Sequence, residues 1–82
     1  MSALYVLDVP ENRPVAEVAA RDERALSLRR VGPYFEIVFD REIVIDRRTT
    51  GCRHAVWYSS VAGTREARIT QWDKDSLRLE SA

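Results

Sequence analysis

The chain has 82 residues and a mass of 9.4 kDa; 45% of its residues are hydrophobic and 32% charged, and thirteen basic side chains balance thirteen acidic ones. That composition describes one small folded domain over residues 1–82, because a disordered tail needs fewer apolar residues and a larger net charge. The zero net charge argues against a polybasic nucleic-acid arm, and the longest apolar run, Ala3–Leu7, is far short of the roughly 20 residues that span a bilayer.

In chain order, Ala3–Val9 is an apolar run of β-branched and aromatic character closed by Pro10, and it reads as a buried strand. Residues 14–24 read as a short helix: Pro14 suits a first turn, and Val15, Val18 and Ala19 recur at i, i+3, i+4. A strand over 15–20 is the competing reading. From Ala25 the period is two, with Leu26 and Leu28 alternating with Ser27 and Arg29. After Gly32-Pro33 the apolar positions are Phe35, Ile37 and Phe39, and after Asp40-Arg41 they are Ile43 and Ile45. A three-residue turn between these two strands keeps all five on one core face and puts Glu36, Glu42 and Asp46 on a solvated one.

Thr49-Thr50-Gly51-Cys52 carries turn chemistry, with Gly51 able to take a positive φ. Arg53–Val61 and Arg65–Trp72 read as the two arms of a hairpin around Ala62-Gly63-Thr64, and Asp73-Lys74-Asp75 turns into a last strand, Ser76–Glu80. Connections this short favour antiparallel neighbours. The expected fold is α+β and β-dominated, one short helix packed on an antiparallel meander sheet; an all-β roll or small barrel is the alternative should 14–24 be strand.

The 53–72 hairpin carries most of the functional signal. A two-residue loop sets Trp57 opposite Arg68 and Arg53 opposite Trp72; a three-residue loop flips the faces and sets Tyr58 opposite Glu66, with Arg68 beside them. In either register one face mixes aromatics with arginines, so Trp57, Tyr58, Arg53, Arg65, Arg68 and Trp72 form the candidate interaction surface. Trp, Tyr and Arg are the residues enriched in interface hot spots. Charge is uneven as well: residues 47–68 carry five arginines against one glutamate, whereas residues 1–28 carry five acids against three arginines. Such an asymmetry suits a basic patch meeting an acidic one.

Cys52, with Arg47, Arg48 and Arg53 close by in sequence and His54 two residues on, is a candidate reactive thiol, since guanidinium groups favour the thiolate. With one Cys and one His the chain can form neither an internal disulfide nor a closed Cys/His zinc site, so no metal and no cofactor is expected. With a single thiol and no secretion signal read at the N-terminus, the reducing cytoplasm is the expected compartment.

The reading these features support is a small non-enzymatic interaction module that self-associates as a homo-oligomer or docks on a larger protein partner as an accessory or regulatory subunit. Two alternatives stand beside it. One is a small-molecule or anion-binding protein using the Arg/aromatic face; the other is single-stranded nucleic-acid binding, disfavoured by the lack of any RNP-type string or GXXG loop.

Overall fold

The computed structural model describes residues 1–82. Strand β1 (Ser2–Leu7) leads through a single 3-10 turn, Pro10–Asn12, into helix α1 (Arg13–Ala20). Strands β2 (Ala25–Val31), β3 (Tyr34–Phe39) and β4 (Glu42–Asp46) follow, then two short helices, α2 (Arg47–Thr50) and α3 (His54–Ser59). Strands β5 (Val61–Arg65), β6 (Ala67–Trp72) and β7 (Ser76–Ser81) complete the chain. Seven strands take half of the residues and every pairing is antiparallel, so the fold is α+β and β-dominated.

The strands do not form one meander. They make a four-stranded sheet in the order β2-β3-β1-β5 and a three-stranded sheet in the order β4-β7-β6. The chain passes from the first sheet to the second at Arg41 and again at Glu66, which are the two non-glycine residues with positive φ, +69° and +51°. A left-handed residue at each corner swings the chain out of the sheet it is leaving instead of reversing it into a hairpin. Both corners are tied to the end of β7: the Arg41 carbonyl accepts from the Ser81 N–H and the Glu66 carbonyl from the Ala82 N–H. The expected β3–β4 hairpin is thereby replaced by two strands in different sheets. Ile37, Phe39, Ile43 and Ile45 still share one core, but across the space between the sheets.

That core joins Leu4, Val6, Ile37 and Phe39 of the first sheet to Ile43, Ile45, Leu77 and Leu79 of the second. Helix α1 adds Val15, Ala16 and Ala19, and α3 adds Trp57. Helix α1 stops at Ala20, where its apolar stripe fades and four residues short of the expected span 14–24, because Asp22 turns the chain: its carboxylate accepts from the Arg24 N–H at 2.9 Å and from the Val44 N–H at 3.2 Å.

The largest correction falls on residues 53–61. Arg53–Ser60 is not a strand, and the 53–72 hairpin does not exist in either register. His54–Ser59 is helical, and β5 pairs with β1 and β6 with β7, in different sheets. The Trp57 ring fills the core, and its indole N–H donates to the Asp73 carbonyl at 2.7 Å, pinning α3 to the β6–β7 turn. Helix α2 before it is bounded by Asp46, whose carboxylate accepts from the Thr49 N–H and hydroxyl at 2.9 and 2.7 Å, and by Gly51 at φ +73°. No helix is long and apolar enough to cross a membrane.

Candidate functional site: the outer face of the four-stranded sheet

The first sheet buries one face against α1 and the second sheet and leaves the other without a covering element. Register places side chains on that outer face in rows. One row runs Arg29–Glu36–Tyr5–Gly63 across β2, β3, β1 and β5. The row beside it runs Val31–Tyr34–Leu7, three side chains exposed at 39%, 37% and 39%. The β2–β3 turn that ends this row has Gly32 at φ +59° as the first of two central residues, as a type II′ hairpin requires.

Glu36 organises the middle of the face. Its carboxylate accepts from the Tyr5 hydroxyl at 2.7 Å, from Arg29 Nε at 2.7 Å and from Arg65 Nη1 at 3.3 Å. These three side chains come from three strands and close over it, so the Glu36 side chain is 2% exposed while Arg29 and Arg65 remain 66% and 45% exposed. The Tyr5 hydrogen bond, followed by that from Arg29, holds the Glu36 carboxyl below the ordinary glutamate range. The same hydrogen bond to an anion pushes the Tyr5 hydroxyl up. At neutral pH the unit is therefore an ionised carboxylate with its oxygens already engaged, holding two guanidinium groups whose outer edges face solvent.

Between Tyr5, Tyr34 and the backbone of Ala62-Gly63-Thr64 lies an open groove of about 290 Å³. The two tyrosine rings meet edge to face, 6.5 Å apart and 75° between planes. Gly63 occupies the fourth position of the Arg29–Glu36–Tyr5 row, follows a bulge at Ala62, and leaves that position empty. A second hollow of about 400 Å³ lies between the end of β1 and α3, lined by Leu7, Val9, Asn12 and Val56 among others.

The residues expected to share a hairpin face are dispersed. Trp57 is fully buried and leaves the candidate surface. Tyr58 is 48% exposed and packs on Trp72, ring centroids 5.8 Å apart, so its partner is an aromatic ring across two elements. Arg53 is exposed at the start of α3, and Arg68 is exposed on β6 opposite Glu80. Only Arg65 reaches the outer sheet face. Cys52 is buried, its Sγ 3.8 Å from the Glu11 carbonyl oxygen, whereas His54 is exposed on the first turn of α3.

Sequence reading alone missed Tyr5, Arg29, Tyr34, Glu36 and Gly63. The available signal was a glutamate sharing parity with Tyr34 inside Tyr34-Phe-Glu-Ile-Val-Phe39, otherwise an apolar strand. The expectation that Glu36 and Asp46 share one solvated face is overturned: Glu36 is buried on the first sheet, and Asp46 caps α2.

No family model matches the chain and no curated protein sequence matches it. Its fold is similar to that of a solved chain from the structure of a phenol hydroxylase–regulatory protein complex, with a TM-score of 0.78 over 99% of this chain and 98% of that one, at 17% identity.

Proposed function

We propose that the protein is a non-enzymatic accessory subunit that docks on a larger enzyme of the hydroxylase type and regulates it. The observation that carries this reading is the shared fold, which extends over nearly the full length of both chains and comes from a hydroxylase–regulatory protein complex. The surface supports it. One sheet face has no covering element and offers a contiguous apolar row beside arginines already held in place, the combination of anchors and oriented charge that interfaces use.

The test is to isolate binding partners with the tagged full-length chain, identify them by mass spectrometry, purify the partner and measure its turnover as the chain is added. A hydroxylase whose rate changes and saturates at a fixed stoichiometry supports the reading. A partner of another reaction class, a partner whose turnover is indifferent to the chain, or no partner at all overturns it.

A second reading rests on β2. It is an edge strand of seven residues with Leu26 and Leu28 exposed at 52% and 40%, and an exposed apolar edge is a template for antiparallel pairing with a second copy. Sedimentation of the purified chain decides: a dimer lost on Leu28→Lys supports self-association through β2, and a monomer across the concentration range excludes it.

A further inference from the structure

We infer that the groove between Tyr5, Tyr34 and Gly63, flanked by Arg29 and Arg65, is the seat of an acidic segment of a partner protein, which inserts one apolar side chain beside Gly63 and sets carboxylates on the two arginines. This deepens the accessory-subunit reading and rests on it.

Gly63 is a glycine inside a strand, β5, that the chain's own fold does not require. Its φ lies outside the left-handed region that favours glycine, and a Cβ built there meets no atom within 4 Å. Neither backbone conformation nor internal packing asks for glycine, and glycine weakens a strand interior. What glycine does provide is room: it keeps the groove open at the end of a row otherwise filled by Arg29, Glu36 and Tyr5. In a strand such a glycine marks a bulge or a close approach by another molecule; the bulged residue here is Ala62, while Gly63 is itself in register with Tyr5, which leaves the close approach.

Size and charge then select the occupant. At about 290 Å³ and open to one side, the groove sits at the bottom of the range for small-molecule sites, roughly 300–1,000 Å³, and suits a single side chain better than a cofactor. The apolar row Val31–Tyr34–Leu7 extends the contact beyond it.

Charge on this face is sorted by depth. The carboxylate of Glu36 is buried and the guanidinium groups of Arg29 and Arg65 are outermost, so an approaching chain meets positive charge although each arginine is already paired. The buried carboxylate also restrains both arginines before a partner arrives, which lowers the ordering cost of binding. Arg65 is further fixed by an Nε hydrogen bond to the Met1 carbonyl at 3.3 Å. Carboxylates next to an apolar side chain are the complement to this pattern.

The experiment titrates the ¹⁵N-labelled full chain with the peptide Ac-Glu-Glu-Phe-Leu-Glu-Glu-NH₂. The controls are Ac-Lys-Lys-Phe-Leu-Lys-Lys-NH₂ and an eight-residue oligothymidine. The expected result is that amide signals of Gly63, Thr64, Tyr5 and Tyr34 and the Nε signals of Arg29 and Arg65 shift with the acidic peptide and with neither control. Gly63→Leu, which closes the groove, and Arg65→Ser, which removes one guanidinium, should each weaken binding about tenfold or more, with the other signals and the melting temperature of Gly63→Leu retained.

Absence of shifts on this face, equal response to the basic peptide, stronger response to the oligonucleotide, or unchanged binding by Gly63→Leu overturns the inference. Concentration-dependent shifts of the same signals without peptide also overturn it, in favour of a second copy. The two proposals fail separately. If a regulated hydroxylase is found but this face does not respond to the acidic peptide, the docking site is lost and the function stands. If the face binds the acidic peptide but no hydroxylase is regulated, the function is lost and the acid-reading groove stands.

Discussion

Replacing Trp57 by Ala tests where α3 sits. Placed on a hairpin face, its loss would weaken association and leave the fold intact; buried with its indole N–H on the Asp73 carbonyl, its loss must strike the fold. Replacing a buried Trp by Ala costs about 3–5 kcal/mol in transfer and cavity terms. A chain of 82 residues has a total stability of roughly 4–12 kcal/mol at 0.05–0.15 kcal/mol per residue. Trp57→Ala therefore removes a large part of the total or all of it. Trp57→Phe keeps most of the ring but withdraws the donor from the Asp73 carbonyl, a loss of about 1–3 kcal/mol, which at roughly 4–8 °C per kcal/mol lowers the melting point by about 4–24 °C. Urea unfolding followed by far-ultraviolet circular dichroism reads both variants, and Trp72 remains as a fluorescent reporter. A Trp57→Ala protein whose stability changes by no more than about 0.5 kcal/mol, the level of an ordinary surface substitution, would refute the placement of α3.

Asp22 should make stability fall in acid. Hydrogen bonding from the Arg24 guanidinium holds its carboxyl down at about 2, so its contribution is present above the unfolded carboxyl range near 4 and is lost as pH drops from about 4 toward 2. A carboxyl so displaced contributes at most roughly 2.6 kcal/mol. Arg24 is 38% exposed, and solvent screening brings the expected value to about 1 kcal/mol; Asp22→Asn should lose that much at pH 7 and show a flatter acid limb in urea melts taken at stepped pH. The Cys52 thiol should be protected from alkylation by iodoacetamide in the native state and react at the rate of unfolding, because it is buried; rapid labelling of native protein would restore it as a reactive thiol. The glycines at 51 and 63 should respond in opposite directions to alanine. Gly51→Ala forces a side chain into the left-handed cap of α2 and costs about 1–2 kcal/mol, whereas Gly63→Ala stabilises the free chain by about 0.4–1 kcal/mol through the unfolded state. Urea midpoints moving the same way in both variants would refute the account of Gly63.

Strands whose local pattern matched their burial were readable in the sequence. β1, β3, β4 and β7 are apolar at the positions that face the core, and Gly32-Pro33 and Asp73-Lys74-Asp75 punctuate them as turns do. Helix α1 was readable in kind, through Pro14 and the buried Val15 and Ala19, and its apolar stripe fades where the helix ends; the expected span ran on to residue 24 because the Asp22 side-chain hydrogen bonds that turn the chain leave no mark on hydrophobic spacing. Helix α3 was lost for a different reason. Six residues make fewer than two turns, too few to separate a period of 3.6 from one of two, and Val56-Trp57-Tyr58 invites the strand reading. The Asp46 and Gly51 that bound α2 are the signal that the chain stops alternating before residue 53. Sheet order could not be read at all, since it depends on Arg41 and Glu66 taking a left-handed conformation that neither side chain favours. The candidate site followed sheet order into obscurity: Tyr5, Arg29 and Arg65 are 24 to 60 positions apart in sequence and meet only because β2, β3, β1 and β5 lie side by side.

The position of Glu36 makes the outer face an organised surface and not merely an uncovered one. A carboxylate withdrawn from water in mid-sheet is costly, and buried ion pairs can often be exchanged for apolar residues without loss of stability. Val38, one turn of the pleat further along β3 on the same face, shows that an apolar residue can be accommodated there. Stability alone therefore gives little reason for Glu36. Its effect on its neighbours does: it draws Tyr5 Oη and Arg29 Nε to within 2.7 Å and Arg65 Nη1 to within 3.3 Å, fixing three long side chains from three strands. Unrestrained, these side chains would each lose rotamer freedom when a partner bound. Held by Glu36, they present two guanidinium edges and a tyrosine wall beside the empty position at Gly63, with the ordering cost already met in the folded chain.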